Sequence, residues 1–449
     1  MPVLRLFVWC LFVLGLGVGN SVWAQDWKTS LNPQVAQSGR LMLFRVAGSN
    51  TIGSHLAPKL VETFFAHEGL TDVKTVSNGL DAVVVSGVWQ QGVRPVELQV
   101  SIEAHGSATG FRGLINHTAD LAAASRPIEG SEKLALSSLG DMQDSDHEHI
   151  IGIDGLAIIV NPTNSIASLN TSQIQALFTG KIRNWKQVGG ADAGVNVYAR
   201  DHNSGTFDTF QRLVLQEETL SGKAKRFESN DQLNQSVLGD AHGIGFVPLA
   251  FIGKAKALTV SDGVAMALKP SILTVATEDY PLSRRLFFYS PGADKRSPAV
   301  SAFLKFVTSD AGQKVVADIG FVAQALHPVA VQSMDSRLKG WRRLNLNFRF
   351  DDGTSELDNK AQVDIQRLAL YMAKMGDRDH MLTLVGYSNP EQAVEQASLS
   401  RLRAQNVRWA LREDKVHSNI DTLAGEAMAV ADPHSVNADR NRRVEVWFR

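Results

Sequence analysis

Apolar residues recur along this chain in three successive rhythms. The first is an unbroken apolar run from Leu6 to Gly19, preceded by Arg5 and followed by Val22-Trp23-Ala24, which offers small residues for cleavage before Gln25. That layout predicts a secretory signal peptide over residues 1–24. The run is shorter than the ~20 residues a spanning helix needs, and no later segment approaches that length without charges. The exported, mature chain is therefore expected to be soluble. The second rhythm runs from about Gly39 to Gln324 and alternates short β-rich runs with amphipathic helical stretches. Leu41 to Val46 and Ile150 to Val160 are examples of the runs; in Ser54 to Phe65, Leu56, Leu60, Val61 and Phe64 fall at helical spacing. Such alternation predicts an α/β fold with mostly parallel sheets over residues 40–325.

Periodicity lapses between about Ala325 and Trp341, and residues 326–343 are expected to be a linker joining two cores that fold independently. The third rhythm follows. Leu344 to Phe350 alternates as a strand, Asp351-Asp352-Gly353 breaks it, and Leu357 to Met375 has helical spacing. A strand at Leu382 to Gly386, a helix from about Glu391 to Leu411 and a strand at Arg442 to Phe448 complete a small α/β module over residues 344–449.

Composition narrows the function more than the fold. At 449 residues with 44% hydrophobic side chains the chain can bury several cores, and its length suits two to three domains. Its 45 basic and 46 acidic side chains leave no global positive field for nucleic acid. The single cysteine, Cys10, lies inside the signal segment, so the mature chain has no disulfide, thiolate metal site or thiol nucleophile.

Three polar turns, each entering a helical run, stand out. They are Gly48 to Thr51, Gly106-Ser107-Ala108-Thr109-Gly110, and Arg200-Asp201-His202-Asn203-Ser204-Gly205-Thr206. Backbone N–H groups at helix starts, Ser/Thr hydroxyls and a fixed guanidinium are the donors that hold a tetrahedral oxyanion. Glycine lets the backbone come close, and hydroxyls add donors without charge. One such turn alone is more often an ordinary helix cap; three, with Arg200, can converge on one anion.

The ordered motifs extend this reading. Val46-Ala47-Gly48-Ser49-Asn50-Thr51, Ala119 to Pro127, Asp154 to Pro162, Leu177-Phe178-Thr179-Gly180-Lys181-Ile182-Arg183-Asn184-Trp185, Arg200 to Thr206, Gly243 to Val247 and Gly320-Phe321-Val322 follow one another. Over roughly residues 40–325 the chain resembles the phosphate-binding proteins of bacterial ABC transporters. The resemblance implies a two-lobed type II periplasmic binding protein fold that closes over phosphate or a related oxyanion, with an ABC permease as partner and no cofactor. By motif match the donors are Ser49, Asn50 and Thr51, then Ser107, then Arg200, Ser204, Gly205 and Thr206, with Ser125 as a further candidate. Some members of the family place an aspartate where this chain has Arg126. That acceptor takes a proton from hydrogen phosphate and rejects sulfate. Arg126 either contacts the anion or pairs with Glu129 or Glu132. Asp201 and His202 either orient Arg200 or serve solubility, and the Phe178 to Trp185 motif reads as packing.

From Leu344 onward the chain resembles the OmpA-like domain, through Phe350, Gly353 and Leu357, Leu384 to Asn389, Leu399-Ser400-Arg401-Leu402-Arg403-Ala404, and Asn441-Arg442-Arg443-Val444. The resemblance implies peptidoglycan as partner. Arg403 would take a stem-peptide carboxylate, its forked donors suiting that group. Asn389 stands where the family has the aspartate that receives an ammonium, so wall binding is expected to be weak. The leading expectation is thus a periplasmic oxyanion receptor held at the wall or outer membrane. The alternatives are a wall-associated scaffold or sensor with a degenerate site, and a phosphatase-like enzyme. The sequence carries no enzyme signature: His147 and His149 lack zinc spacing and sit in an acidic run, Asp144 to Glu148, expected to be a solvated loop.

Overall fold

The computed structural model describes residues 27–31, 39–91, 94–202, 204–333, 335–350, 354–376, 379–388, 393–425, 429–435 and 437–449. The signal segment, the Asp351 to Gly353 break and Asn389 lie outside the described residues.

Strand Arg40–Gly48 turns Phe44 and Val46 inward and pairs in parallel with Arg94–Glu103 on one side and Leu121–Ala124 on the other. Helix Ala57–His67 covers them, with Leu60, Val61, Phe64 and Phe65 fully buried. Each such side chain contributes roughly 1.5–3 kcal/mol through the surface it removes from water. One sheet runs through both lobes, in the order Thr71–Ser77, Ala82–Gln91, Arg94–Glu103, Arg40–Gly48, Leu121–Ala124, Ser283–Tyr289, Glu148–Val160, Gly243–Pro248, Asn196–Arg200, Lys225–Phe227. The sheet is mixed rather than mostly parallel. Thr71–Ser77, Ala82–Gln91 and Arg94–Glu103 form an antiparallel meander at one end, and the two central strands are antiparallel to each other.

Those central strands are the hinge. Glu148–Val160 begins beside the first core, where Ile151 is buried, and ends in the second with Leu156, Ile158 and Val160. Ser283–Tyr289 returns, leaving Leu282 in the second core and placing Leu286 and Phe288 in the first. The Phe178 to Trp185 motif packs the second lobe. Phe178 lies 4.5 Å from Phe210, Phe210 stacks on Phe246 at 3.9 Å, and Trp185 Nε1 donates to the His242 carbonyl at 3.0 Å. Only the start of the acidic run, with Asp144 and Ser145 exposed, is a solvated loop. His147 and Glu148 are buried because the run leads directly into the hinge strand; His147 contacts Asp144 and the Leu139 carbonyl, and Glu148 accepts from the Tyr289 hydroxyl.

The C-terminal module is a five-stranded sheet in the order Pro328–Val329, Arg342–Arg349, Arg443–Phe448, Met381–Tyr387, Asn419–Ala424, with helices Asn359–Met375 and Ala393–Glu413 packed on it. Strand Asn419–Ala424 was not among the expected elements. The segment expected to be a linker is folded into this module. Pro328–Val329 pairs with Arg342–Arg349, Asn345 bonds the backbone of both Ala325 and His327, and Leu338 packs with Val385, Tyr387 and Trp447.

On strand Arg342–Arg349 the side chains alternate. Leu344, Leu346 and Phe348 enter the core, while Arg343, Asn347 and Arg349 take the other face, paired in register with Trp447, Glu445 and Arg443. That polar face is covered by the large domain. Asp279 accepts from Arg343 Nη2 at 2.8 Å, Asn347 Nδ2 at 2.9 Å and Arg349 Nη2 at 3.3 Å, with Arg443 Nε at 3.7 Å. Burial would raise the Asp279 carboxyl, but Arg343, Arg443 and Arg349 outweigh it and hold it below its ordinary value. Glu278, at φ 59°, is likewise held down by Arg285, Lys360 and Arg349 against its burial. Arg285 reaches Asp358 at 2.9 Å, Arg440 donates to the carbonyls of Tyr280 at 2.6 Å and Ser283 at 3.1 Å, and Ser435 donates to Asp262 at 2.6 Å.

Two outcomes follow for this contact. Asp279→Asn leaves three arginines facing a neutral group, and should lower the stability of the domain contact by about 3–5 kcal/mol; a denaturant midpoint within error of the parent would contradict it. The second concerns pH. Because Glu278 and Asp279 titrate lower in the folded chain than at their ordinary 4.5 and 3.8, their contribution is complete above those values and is lost as pH falls through and below them. Small-angle scattering should therefore show the domains separating below about pH 4 and unchanged from neutral to mildly alkaline pH. A constant radius of gyration into the acid range would oppose this account.

Candidate anion-binding cleft

The first turn leaves strand Arg40–Gly48 at Gly48, whose φ of 137° and close approach to the Ala123 carbonyl, 2.0 Å from any added Cβ, admit only glycine. Ser49 N donates to that carbonyl at 2.8 Å, and the chain enters a π-turn, Ile52–Leu56, ahead of helix Ala57–His67. The second turn uses Gly106, at φ 97°, to start helix Ser107–Ile115. In the third, Ser204 caps Gly205–Phe210 by accepting from Phe207 N. Strand Leu121–Ala124 ends on Ser125.

Five of the candidate residues come together between the lobes. Thr51 Oγ1 donates to the Gly205 carbonyl at 3.0 Å, and Ser125 N donates to Ser107 Oγ at 3.2 Å. Ser125 Oγ reaches Asp208 at 3.3 Å, and Ser204 is buried beside them. Ser49 is buried too, with its hydroxyl unpaired among the described residues. Asn50 and Thr206 are half-buried at the two turns.

The two candidate arginines point elsewhere. Arg200 donates to the carbonyls of Phe227 at 3.3 Å and Glu228 at 2.5 Å and to Asn230, with Asp201 at 3.8 Å. It ties the third turn to the neighbouring strand. Of the two roles open to Arg126, the pairing is the one formed: both its Nη atoms meet Glu132 at 2.7 Å and its Nε lies 3.1 Å from Glu129, with the guanidinium 5.2 Å from the Phe111 ring. His202 is exposed and meets Phe207 edge-on.

The guanidinium at the convergence point is Arg284, on the returning hinge strand. It donates through Nη2 to Thr51 Oγ1 at 2.6 Å, to the Gly205 carbonyl at 3.3 Å and to Thr209, and through Nη1 to Asp208 at 3.3 Å; its Nε lies 3.5 Å from Asp154. Thr209 donates to Asp154 at 2.7 Å. Burial pushes the Asp154 carboxyl up, against the pull of Arg284 and Thr209, and draws Arg284 down. The cleft therefore offers hydroxyl donors, one guanidinium and two carboxylates as acceptors. It can hold a tetrahedral anion, and a protonated one better than a bare one. Sequence reasoning passed over Arg284, Asp154, Asp208 and Thr209. The available signal was Arg284-Arg285 set between Leu282 and Leu286 in an otherwise apolar strand.

In the C-terminal module Arg403, on helix Ala393–Glu413, is 1% exposed. Its Nε and Nη2 donate to the Thr354 carbonyl at 3.0 and 2.8 Å, and it lies 5.3 Å from the Phe350 ring.

The sequence matches the PBP superfamily domain over residues 65–311 and the OmpA family over residues 349–445. It is 31% identical over 235 residues to Phosphate-binding protein PstS of Staphylococcus epidermidis, covering 51% of this chain and 70% of that protein. Protein SphX of Synechococcus elongatus is 31% identical over 240 residues, with 51% and 70% covered. Among solved structures, that of a possible phosphate binding protein from Planctomyces limnophilus aligns with a TM-score of 0.50 at 25% identity, over 63% of this chain and 93% of the other. The PBP match spans more than half of the chain, so the chain belongs to the PBP superfamily, with an OmpA-family domain following it.

Proposed function

We propose that the chain binds phosphate in the cleft between its lobes, outside the cytoplasm, and is held at the cell wall through its OmpA-family domain. The observation that carries this reading is the meeting of Thr51 and Gly205 on the buried Arg284, with Ser125 and Ser107 joined to it through Asp208. The names of PstS relatives support phosphate as the anion. Asp208, which touches both Ser125 and Arg284, is placed to accept the proton of hydrogen phosphate, a role that Arg126 cannot fill. Fully ionised sulfate has no proton to give it. An ABC permease is the partner that this family's transport role implies.

A second reading, a wall-bound scaffold or sensor with a degenerate site, draws on one observation: the Arg284 guanidinium itself bridges Thr51 and Gly205 across the cleft. Calorimetry separates the two. The mature chain should bind phosphate, Thr51→Val should weaken it about five- to tenfold through one lost donor, and Arg284→Gln about ten- to a hundredfold through a lost charged one. Asp208→Asn should narrow the preference for phosphate over sulfate. No heat with either anion would favour the scaffold.

At the wall, the neutral Asn389 predicts weak cosedimentation of the full chain with purified peptidoglycan. Asn389→Asp should strengthen it by giving an ammonium an ionic partner, and Arg403→Ala should abolish it. Tight pelleting unaffected by either substitution would mean that another surface is used.

A further inference from the structure

The C-terminal module is bonded to both lobes, with one set of contacts on either side of the hinge. On the first-lobe side Asn359 donates through Nδ2 to Glu148 at 3.1 Å; Glu148 also accepts from the Tyr289 hydroxyl, and that oxygen accepts from Ile128 N. Arg367, further along the same helix, donates to Gln324 at 3.1 Å, and Gln324 N donates to Gln313 at 2.7 Å, on helix Asp310–Ile319 of the first lobe. On the second-lobe side Ser435 donates to Asp262 at 2.6 Å, Arg349 to the Thr277 carbonyl at 2.8 Å and Arg440 to the Tyr280 carbonyl at 2.6 Å, besides the arginines gathered on Asp279. A cavity of about 650 Å³ continues from the cleft, sharing Ser125 and Arg284 with it, and Arg349, Phe350, Asp439 and Arg440 of the module form part of its wall. The module therefore stands beside the cleft as well as on the hinge.

The module has a packed core of its own, and a close-packed core moves as a body rather than stretching. While both sets of contacts hold, the lobes keep one mutual angle, and it is the angle at which they meet. Thr51 of the first lobe donates to the Gly205 carbonyl of the second at 3.0 Å, and Ser125 to Asp208 at 3.3 Å. Parting the lobes shifts Glu148 and Gln324 relative to Asp262 and Asp279, so one set has to break. The first-lobe set is the weaker, two hydrogen bonds against a buried carboxylate among three arginines. We propose that the module is a brace across the hinge: docked on both lobes it holds them together, and release of Glu148 and Gln324 is the step that lets them part. This regulation rests on the cleft being the phosphate site. The coupling is reciprocal. Phosphate, by favouring joined lobes, favours the docked module, and undocking weakens phosphate binding because fewer chains have their lobes joined.

The test uses the full mature chain. Its lack of cysteine allows spin labels at Lys74→Cys and Lys223→Cys, exposed positions on the first and second lobes. Asn359→Ala combined with Arg367→Gln removes the first-lobe contacts and touches neither the cleft nor Asp279. Pulsed spin-label distances taken without phosphate should be narrowly distributed in the parent, wider and differently centred in the double variant, and restored to the parent distribution when phosphate is added. Calorimetry should show phosphate binding about three- to tenfold weaker in the double variant. Arg367→Gln alone, at a side chain 23% exposed, should give a smaller change in the same direction and keeps the test open if the double change disturbs folding. An unchanged distance distribution, or a widened one with the parent's phosphate affinity, would overturn the brace. A parent chain that binds no phosphate while its double variant still widens would sustain the brace and defeat only the reading of the cleft.

Discussion

One buried carboxylate, that of Asp279, sets the conditions for the rest of the structure. It sits among Arg343, Arg349, Arg443 and Asn347, all on the face of the C-terminal sheet that carries no apolar side chains on its leading strand. Three guanidinium groups removed from water cost several kcal/mol each unless they are matched. Asp279 and Glu445 supply the match: Glu445 binds Arg443 at 3.0 Å and Arg343 at 3.3 Å. The large domain can therefore lie over this polar face only because Asp279 meets its arginines there. This makes the two domains interdependent rather than strung together.

The same constraint reaches the cleft through the hinge strand. Successive side chains of a strand point to opposite sides, and Arg284 and Arg285 use both. Arg284 faces Thr51, Asp154 and Asp208 between the lobes, while Arg285 faces Glu278 and Asp358 at the domain contact. A change in the position of this strand is felt on both sides at once.

Much of this was legible in the sequence wherever a local cause produces a local effect. Gly48 and Gly106 need left-handed or crowded backbone, so their turns were visible, as were the helices they begin and the apolar face of Leu60, Val61 and Phe64. The strand Leu344 to Phe350 showed itself by its alternation. What escaped notice depends on partners distant in the chain. Arg200 read as the anion's guanidinium because it adjoins Ser204-Gly205-Thr206, yet its donors are taken up by Phe227, Glu228 and Asn230. Arg284 lies some 80 positions later and carries no turn signal. The partner of the strand's polar half left no sign in the sequence, because nothing local distinguishes an arginine beside water from one beside Asp279. The linker looked loose because its order comes from Asn345 and a two-residue pairing. Strand Asn419–Ala424 was missed because Asp421 and Thr422 interrupt its apolar rhythm.

The place where the C-terminal module grips the large domain has a mechanical meaning. Asn359 holds Glu148 at the start of one crossing strand, at 3.1 Å, and Arg440 holds the Ser283 carbonyl at the start of the other. These two strands are the pivot about which lobes of such a fold turn. Were the module fastened to the wall as proposed, it would be held by a rigid mesh at its far side and clamped to the axle at its near side, as a lever is. Strain in such a mesh would become torque at the pivot, and a rotation that opened the lobes would have to carry the module with it or break the clamp.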